Sequence, residues 1–560
     1  MAGSLKSRAV TACVALACLA GWLFSAPAGP DPITFEDVAA RAGIDFILRN
    51  SAGGDHRQIE AMVSGVAVFD YNNDGWPDIY FVNGARQPNL EKSDPSFYNR
   101  LYKNNGDGTF SDVTTEAGVR GEGFAMGVAA ADFDNDGAVD LFIAGVNRNI
   151  LYRNRGNGSF EDVTKRAGLA QTGAGRKPWS VSAGWFDYDN DGLLDLFVVN
   201  YCVWIPEKDP PCTIGKIRTY CHPKYYDGLP NQLYHNNGGG SFTDVSASAG
   251  IAAHVGKGMG LAFLDYDLDG KLDVFVANDT VPNFLFHNEG GGRFREAGLN
   301  AGVAFNQDGR ALSSMGVDAR DIDNDGREDL WVSANANETF PLFRNLGKGL
   351  MLDITYPSGI GRQTMTATGW SNGIFDFNND GQKDLFVACG AIDDNTELFS
   401  TRKSKQANKV LANLGNLHFQ DVSAAAGKDF QQVGAHRGAA FGDFDRDGRL
   451  DVVVSRIGER AELFRNTTPA RNHWLALQLR GRRSNRDGIG ALIHLSTASG
   501  GEQWNRVTTA TGYGGSSDRT VFFGTGKEAT AKSIEILWPS GVRQKLDNVS
   551  VDRYLAIDEP

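Results

Sequence analysis

Short apolar runs of four or five residues, separated by polar and glycine-rich turns, follow one order repeatedly between Gly65 and Asn466. A run of small residues such as Gly127-Val-Ala-Ala-Ala131 comes first and ends in an acidic loop. A bulkier run such as Asp195-Leu-Phe-Val-Val199 leaves that loop. The third run reads Leu-Tyr/Phe-x-Asn: Leu101-Tyr102, Leu151-Tyr152, Leu233-Tyr234, Leu285-Phe286, Leu342-Phe343, a degraded Val410-Leu411, and Leu463-Phe464. The fourth reads Phe-x-Asp-Val, as in Phe160-Glu-Asp-Val163, with degenerate copies at Phe294 and Leu352. A turn such as Arg155-Gly-Asn-Gly158 joins third to fourth as a hairpin would. Runs this short, bounded by Gly, Asn and Asp, predict strands.

The acidic loops begin at residues 70, 132, 187, 265, 321, 376 and 443, so the unit is about 55 residues with insertions. Four strands per unit predict a β-propeller blade, and seven units predict seven blades. A linear β-solenoid is the alternative. The phase at the ends discriminates between them. Phe35-Glu-Asp-Val38 is a fourth-strand motif placed before any loop, and the last unit lacks its own copy. Phe35–Val38 is therefore expected to complete the last blade and close the ring, which removes exposed sheet edges. Five first strands carry Gly five residues before the loop (Gly65, Gly127, Gly260, Gly316, Gly438), and two carry Ser182 and Ser371. Small residues there suit strands crowded around an axis.

Each loop has the form Asp-x-Asp/Asn-x-Asp-Gly-x-x-Asp. The four ligand-type residues are Asp70, Asn72, Asp74 and Asp78 in the first loop, and Asp132, Asp134, Asp136 and Asp140 in the second. Asp187, Asp189, Asp191 and Asp195 form the third, and Asp265, Asp267, Asp269 and Asp273 the fourth. Asp321, Asp323, Asp325 and Asp329 follow, then Asp376, Asn378, Asp380 and Asp384, then Asp443, Asp445, Asp447 and Asp451. A hard cation such as Ca²⁺ takes six to eight oxygens on a loop with a sharp mid-turn, which the Gly at position 6 permits. A single loop of this kind is also an ordinary Asx turn. Seven copies predict up to seven Ca²⁺ sites. No catalytic residue is assigned.

The formal charge of −13 fits that reading. The ligand positions of the loops hold 26 Asp, and without them 42 acids would face 55 bases. Seven Ca²⁺ would bring the chain close to neutrality. No basic stripe for nucleic acid is present. Lys6, Arg8, the apolar stretch Ala9–Ala26 and the small-x-small Ala26-Pro-Ala28 predict a signal peptide over 1–28, with an uncleaved anchor as the alternative. A secreted, periplasmic or cell-surface location follows, with no membrane contact after cleavage. Four cysteines then remain. An oxidising compartment favours Cys212–Cys221 closing a short loop, with Cys202 and Cys389 paired or free. A zinc site at Cys221-His222 has too few ligands at zinc spacing.

Two insertions interrupt the period. Asn200–Leu229 carries cysteines and Tyr201, Trp204, Tyr220, Tyr225 and Tyr226, and Ala391–Lys409 is polar. The aromatic insertion reads as a partner surface or as a disulfide-stapled cap. Asp318, Arg320, His436 and Arg437 on first strands, with His254 and Lys257 nearby, are candidates for a channel-mouth site. Their convergence would favour a secreted or periplasmic enzyme or small-ligand binder; their scatter favours a non-enzymatic scaffold. No zincin, nucleophile-elbow or phosphate-loop motif is present.

After residue 469 the repeat stops. Runs at Trp474–Leu479, Ala491–Ser496, Val521–Phe523 and Ile534–Trp538, with turns at Gly488-Ile-Gly490, Gly512-Tyr-Gly-Gly515 and Pro539-Ser-Gly541, predict a small β-sandwich or barrel. The division is a propeller over 29–469 and a β domain over 470–560. The repeats resemble the FG-GAP/VCBS repeats of integrin-α-like propellers. The tail resembles an ASPIC/UnbV domain through Asn472-His-Trp474, Ser484-Asn-Arg-Asp-Gly-Ile-Gly-Ala491, Gly512-Tyr513, Phe523-Gly-Thr-Gly526 and Trp538-Pro-Ser-Gly541. The order matches the cartilage acidic protein family and its bacterial relatives. Phe523-Gly-Thr-Gly526 and Gly515-Ser516 depart from the family's usual Phe-Gly-Leu-Gly and Ser-Gln. The resemblance implies a calcium-binding extracellular or cell-surface protein, with no defined activity and no assigned ligand; an extracellular protein or glycan is the expected partner.

Overall fold

The computed structural model describes residues 32–170 and 178–560; the leader expected over 1–28 lies outside them. Seven four-stranded antiparallel units follow the predicted order, each with its acidic loop between the first and second strands. Blade 2 is representative, with strands Phe124–Ala131, Asp140–Val146, Ile150–Asn154 and Phe160–Asp162. The first strand lies inside, and it is fully buried because it faces neighbouring blades on both sides. The chain is a seven-bladed β-propeller followed by a small β domain.

Ring closure occurs as the phase of the motifs requires. Phe35–Asp37 pairs antiparallel with Glu462–Asn466, placing Phe35 opposite Asn466. Phe35 is buried, stacks on Phe430 and meets Phe377 and Phe464 edge-on. One register differs from expectation. In blade 5 the residue opposite Asn345 is Met351. Met351 is buried whereas Leu352 is 51% exposed. The motif's apolar anchor is therefore Met351, one residue earlier than Leu352, because alternation along a strand lets only one of the two face the core.

The C-terminal domain pairs a three-stranded sheet (Val521–Gly526, His473–Arg480, Arg553–Asp558) with a four-stranded one (Glu502–Arg506, Leu492–Thr497, Thr530–Leu537, Arg543–Ser550). Leu475, Leu477, Ile493, Ile534 and Trp538 lie between them, in one apolar cluster continuous with Phe133 and Trp185 of blades 2 and 3.

A hairpin of that domain enters the propeller axis. Ala510–Thr511 pairs with Gly515–Ser516, and Ser516 pairs in parallel with Ala67 of blade 1. Residues 512–518 then bond to other inner strands in turn. Val128 N–H donates to Gly514 O, and Gly514 N–H to Ser182 Oγ. Val317 and Gly512 exchange backbone bonds. Tyr513 N–H donates to Ser371 Oγ, and Phe441 N–H to Ser517 Oγ. In blade 4 a Cβ on Gly260 would lie 2.8 Å from Gly512 O. The ring of small residues is thus the socket for this hairpin, and its two serines are hydrogen-bond acceptors for it. Tyr513 is wholly buried and donates to Met62 O at 2.7 Å.

The opposite face is closed by other segments. Cys212–Cys221 forms as expected, so Cys221 offers zinc no thiolate; Cys202 and Cys389 are buried and free. Tyr201, Trp204, Tyr220 and Tyr226 are buried, and Tyr225 alone of the five is largely exposed. The aromatic insertion is therefore a cap rather than an aromatic surface. It bonds to the second insertion through Tyr220 N–H to Asp393 Oδ1 and Asn395 Nδ2 to Arg218 O. Arg218 also donates to Asp55 O. No helix among the described residues is long and apolar enough to cross a membrane.

Candidate metal loops and the face they form

Every loop curls by the same hydrogen bonds. The backbone N–H groups at positions 5 and 6 donate to the first Asp at 2.7–3.2 Å. The fourth residue takes a left-handed conformation in all seven loops, and it is Asn in five of them (Asn73, Asn135, Asn190, Asn324, Asn379). Asn tolerates that region better than other non-glycine residues. The Gly at position 6 is also left-handed throughout, for example φ 94° at Gly137.

The ninth Asp is the hub of each blade. One oxygen accepts the N–H of loop residue 2 at 2.9–3.2 Å. The other accepts the N–H of the third-strand Asn at 2.7–2.9 Å. That Asn then clasps the preceding blade. Its Nδ2 donates to the carbonyl of loop residue 2 there, as in Asn154 to Tyr71, Asn236 to Phe133 and Asn104 to Phe444. The remaining clasps are Asn288 to Tyr188, Asn345 to Tyr266, Asn413 to Ile322 and Asn466 to Phe377. The circuit passes through all seven blades. The repeated Asn of the Leu-Tyr/Phe-x-Asn motif was its visible signal.

The carboxylates converge. Ligand atoms of Asp132, Asp134 and Asp136 lie within 4.8 Å of one another, as do those of Asp187, Asp189 and Asp195, and of Asp265, Asp267 and Asp273. Burial raises their proton affinity. Desolvation, then the neighbouring Asp487, pushes Asp132 up to about 7. Desolvation pushes Asp187 to about 7, Asp376 to about 8 and Asp195 to about 9, with neighbouring loop carboxylates adding to the shift. Asp78, Asp140, Asp329, Asp384 and Asp451 are raised well above the ordinary range for the same first cause. At position 3, Asp134 Oδ1, Asp267 Oδ1, Asp323 Oδ1 and Asp445 Oδ1 are buried without a hydrogen-bond partner. A buried carboxylate oxygen needs a direct partner of its own, which the arginines on the opposite oxygens of Asp134, Asp323 and Asp445 do not supply. The chemistry of the donor set fits an oxygen-seeking divalent cation.

A row of basic residues beside the loops was not anticipated. The residue before the third-strand Asn is Lys103, Arg153, His235, His287, Arg344, Ala412 or Arg465. Arg153 pairs with Asp134 and Asp136, Arg344 with Asp323, and Arg465 with Asp445. His287 Nδ1 lies 3.1 Å from Asp273, whose hydrogen bond raises the imidazole's pKa. The x of the third-strand motif is basic in all but one copy, which is the signal that could have found it.

The C-terminal domain sits on this loop face. Asp132 N–H donates to Asp487 Oδ2, and Arg486 N–H to Asn135 Oδ1. Asn472 Nδ2 donates to Asn378 O, and Tyr554 Oη to Asp443 Oδ2 at 2.7 Å. Arg506 grips Glu328 with two hydrogen bonds, and Glu328 accepts the Asp265 N–H.

The channel-mouth candidates do not converge. His436 Nδ1 meets Cys389 O and its Nε2 lies 3.0 Å from Glu462. Arg437 donates to Ala61 O and Ala391 O and covers Trp370. Asp318 binds Arg320 and the Ile374 N–H. Lys257 donates to Pro223 O, and His254 meets Phe284 and Phe286 edge-on.

The family models agree with this architecture. The FG-GAP-like repeat model matches residues 70–143, 132–198, 225–276, 265–332, 321–387 and 393–454. The chain belongs to the FG-GAP-like repeat family. The ASPIC and UnbV model matches residues 481–560 of this FG-GAP protein. Cartilage acidic protein 1 of Homo sapiens is 27% identical over 503 residues, covering 85% of this chain and 69% of its own. The Mus musculus protein of that name is 26% identical over 503 residues, covering 85% and 70%. Among solved structures, an Agrocybe aegerita lectin that recognises non-reducing terminal N-acetylglucosamine aligns with a TM-score of 0.37. It is 16% identical, over 64% of this chain and 79% of its own.

Proposed function

We propose that this FG-GAP protein is a secreted, non-enzymatic binding scaffold whose blades are held by Ca²⁺ in the acidic loops. The observation that carries the reading is the set of buried, partnerless carboxylate oxygens at position 3 of four loops. Asp and Asn at positions 1, 3, 5 and 9 would hold the cation, whose charge offsets the mutual repulsion and desolvation of those groups. The Cys212–Cys221 bridge and the likeness to cartilage acidic protein 1 support export to an oxidising compartment. A scaffold role is supported by the axis, which is filled by Tyr513 and its neighbours, and by the polar candidates, which are spent on local bonds.

Thermal unfolding across a Ca²⁺ titration, with a chelator control, tests the reading. A site held at ten times its Kd adds about 1.4 kcal/mol, so several sites should move the melting temperature steeply upward. A melting temperature indifferent to Ca²⁺ and to chelator would reduce the loops to ordinary Asx turns.

A further inference from the structure

A cavity of about 370 Å³ lies between the loop face of blades 1 and 2 and the C-terminal domain. That volume falls at the lower end of the range for small-molecule sites. Val68, Ala130 and Val139 give it apolar walls, and Gln478, Thr509 and Thr520 give it hydroxyl and amide groups. Its charged groups are unequally committed. Asp487 gives one oxygen to the Asp132 N–H and meets Arg519 with the other. Asp70 accepts from the Asp74 and Gly75 N–H groups, and Asp518 from the Thr520 N–H. Arg519 is engaged with Asp487 and with the Leu479 carbonyl. Arg480 and Arg486 also line the cavity, and among the described residues neither guanidinium has an ion-pair partner. Asp487 is paired with Arg519, Asp70 and Asp518 are held by backbone N–H groups alone, and two of the three arginines have no ion-pair partner among the described residues.

We propose that this cavity binds an acidic sugar, a terminal glycan residue bearing a carboxylate or a sulfate. Guanidinium groups match both anions through paired N–H donors. The space exceeds what a bare inorganic anion fills, since a water molecule occupies only about 30 Å³. The surplus is lined for a ring that has hydroxyl edges and an apolar face. The cavity exists only where both domains meet, so neither domain alone carries the site. The inference rests on Arg480 and Arg486, which belong to no acidic loop, although Asp70 both lines the cavity and is a ligand residue of the first loop.

The test is equilibrium titration of the intact protein with methyl β-glucuronoside and with 6-O-sulfo-N-acetylglucosamine. Methyl β-glucoside and an N-acetylated triglutamate serve as comparisons. The charged sugars should bind saturably at one site, and the neutral sugar about tenfold or more weaker. Preference between the two charged sugars assigns carboxylate or sulfate as the natural anion. The double variant Arg480→Gln/Arg486→Gln should lose about tenfold or more in affinity. Both side chains are exposed, so its melting temperature should match the parent, and Arg486→Gln alone gives an intermediate loss if folding interferes. The proposal is overturned by any of four results. These are equal binding of the neutral sugar, equal or tighter binding of triglutamate, no saturation by about 10 mM, or unchanged affinity in a folded double variant.

Discussion

At the scale of single residues, the third-strand Asn does more than its place in a repeat motif suggests. Asn236 is almost fully buried, and its Nδ2 holds both Phe133 O of the preceding blade and Leu194 O of its own, each at 2.9 Å. Asn236→Ala leaves two buried carbonyls unpaired and should cost about 2–4 kcal/mol in urea unfolding. A cost near zero would mean that the clasp is replaceable by water. Asp279 gives a second prediction. Burial pushes its carboxyl up to about 7, and Tyr201 Oη donates to it at 2.7 Å. The native state therefore keeps a proton that the unfolded chain releases near 4. The associated stability is full below about pH 4 and is lost as pH rises to about 7. Asp279→Asn keeps an acceptor and does not titrate. In saturating Ca²⁺, its stability relative to the parent should improve between about pH 5 and pH 8, by at most about 1.4 kcal/mol per unit. A constant difference across that range would refute the assignment.

At the scale of elements, the strands and loops were legible because each carries its own local pattern. The acidic loop, the Leu-Tyr/Phe-x-Asn strand and the displaced Phe35–Val38 motif all specify geometry within a few residues, and the structure reproduces them. The slip from Leu352 to Met351 shows the limit, since two adjacent apolar residues leave the buried face undecided until the partner Asn345 is in place. The hairpin over 510–516 was legible as a turn and not as an axial insert. Nothing in Gly512-Tyr-Gly-Gly515 reveals that Ser182 and Ser371 wait for its backbone N–H groups. Gly514 has φ 63°, and a Cβ there would lie 2.6 Å from Ser64 Oγ. Gly514→Ala should cost about 2–4 kcal/mol through backbone strain and overpacking at the axis. Calorimetry would show propeller and C-terminal domain shifting together; a shift of the C-terminal domain alone would mean that the hairpin is not part of the propeller's support.

At the scale of the whole molecule, two chain-distant events complete one ring. The first strand to appear, Phe35–Asp37, has its partner at Glu462–Asn466, and the hairpin that touches inner strands around the axis lies beyond residue 509. Neighbouring blades meet through contacts between adjacent stretches of chain, and those can form early. Closure and axial filling require the far end of the polypeptide. Synthesis proceeds from the N-terminus, so a growing chain can stack its blades in sequence but cannot lock them. The strand at Phe35 stays unpaired until Glu462–Asn466 has been made, and the serines of the socket until the hairpin beyond residue 509 has been made. Quality control thus acquires a graded criterion: a product truncated before Glu462 carries an open edge and an empty axis, one truncated between there and the hairpin carries an empty axis alone, and either is marked as unfinished by its own architecture.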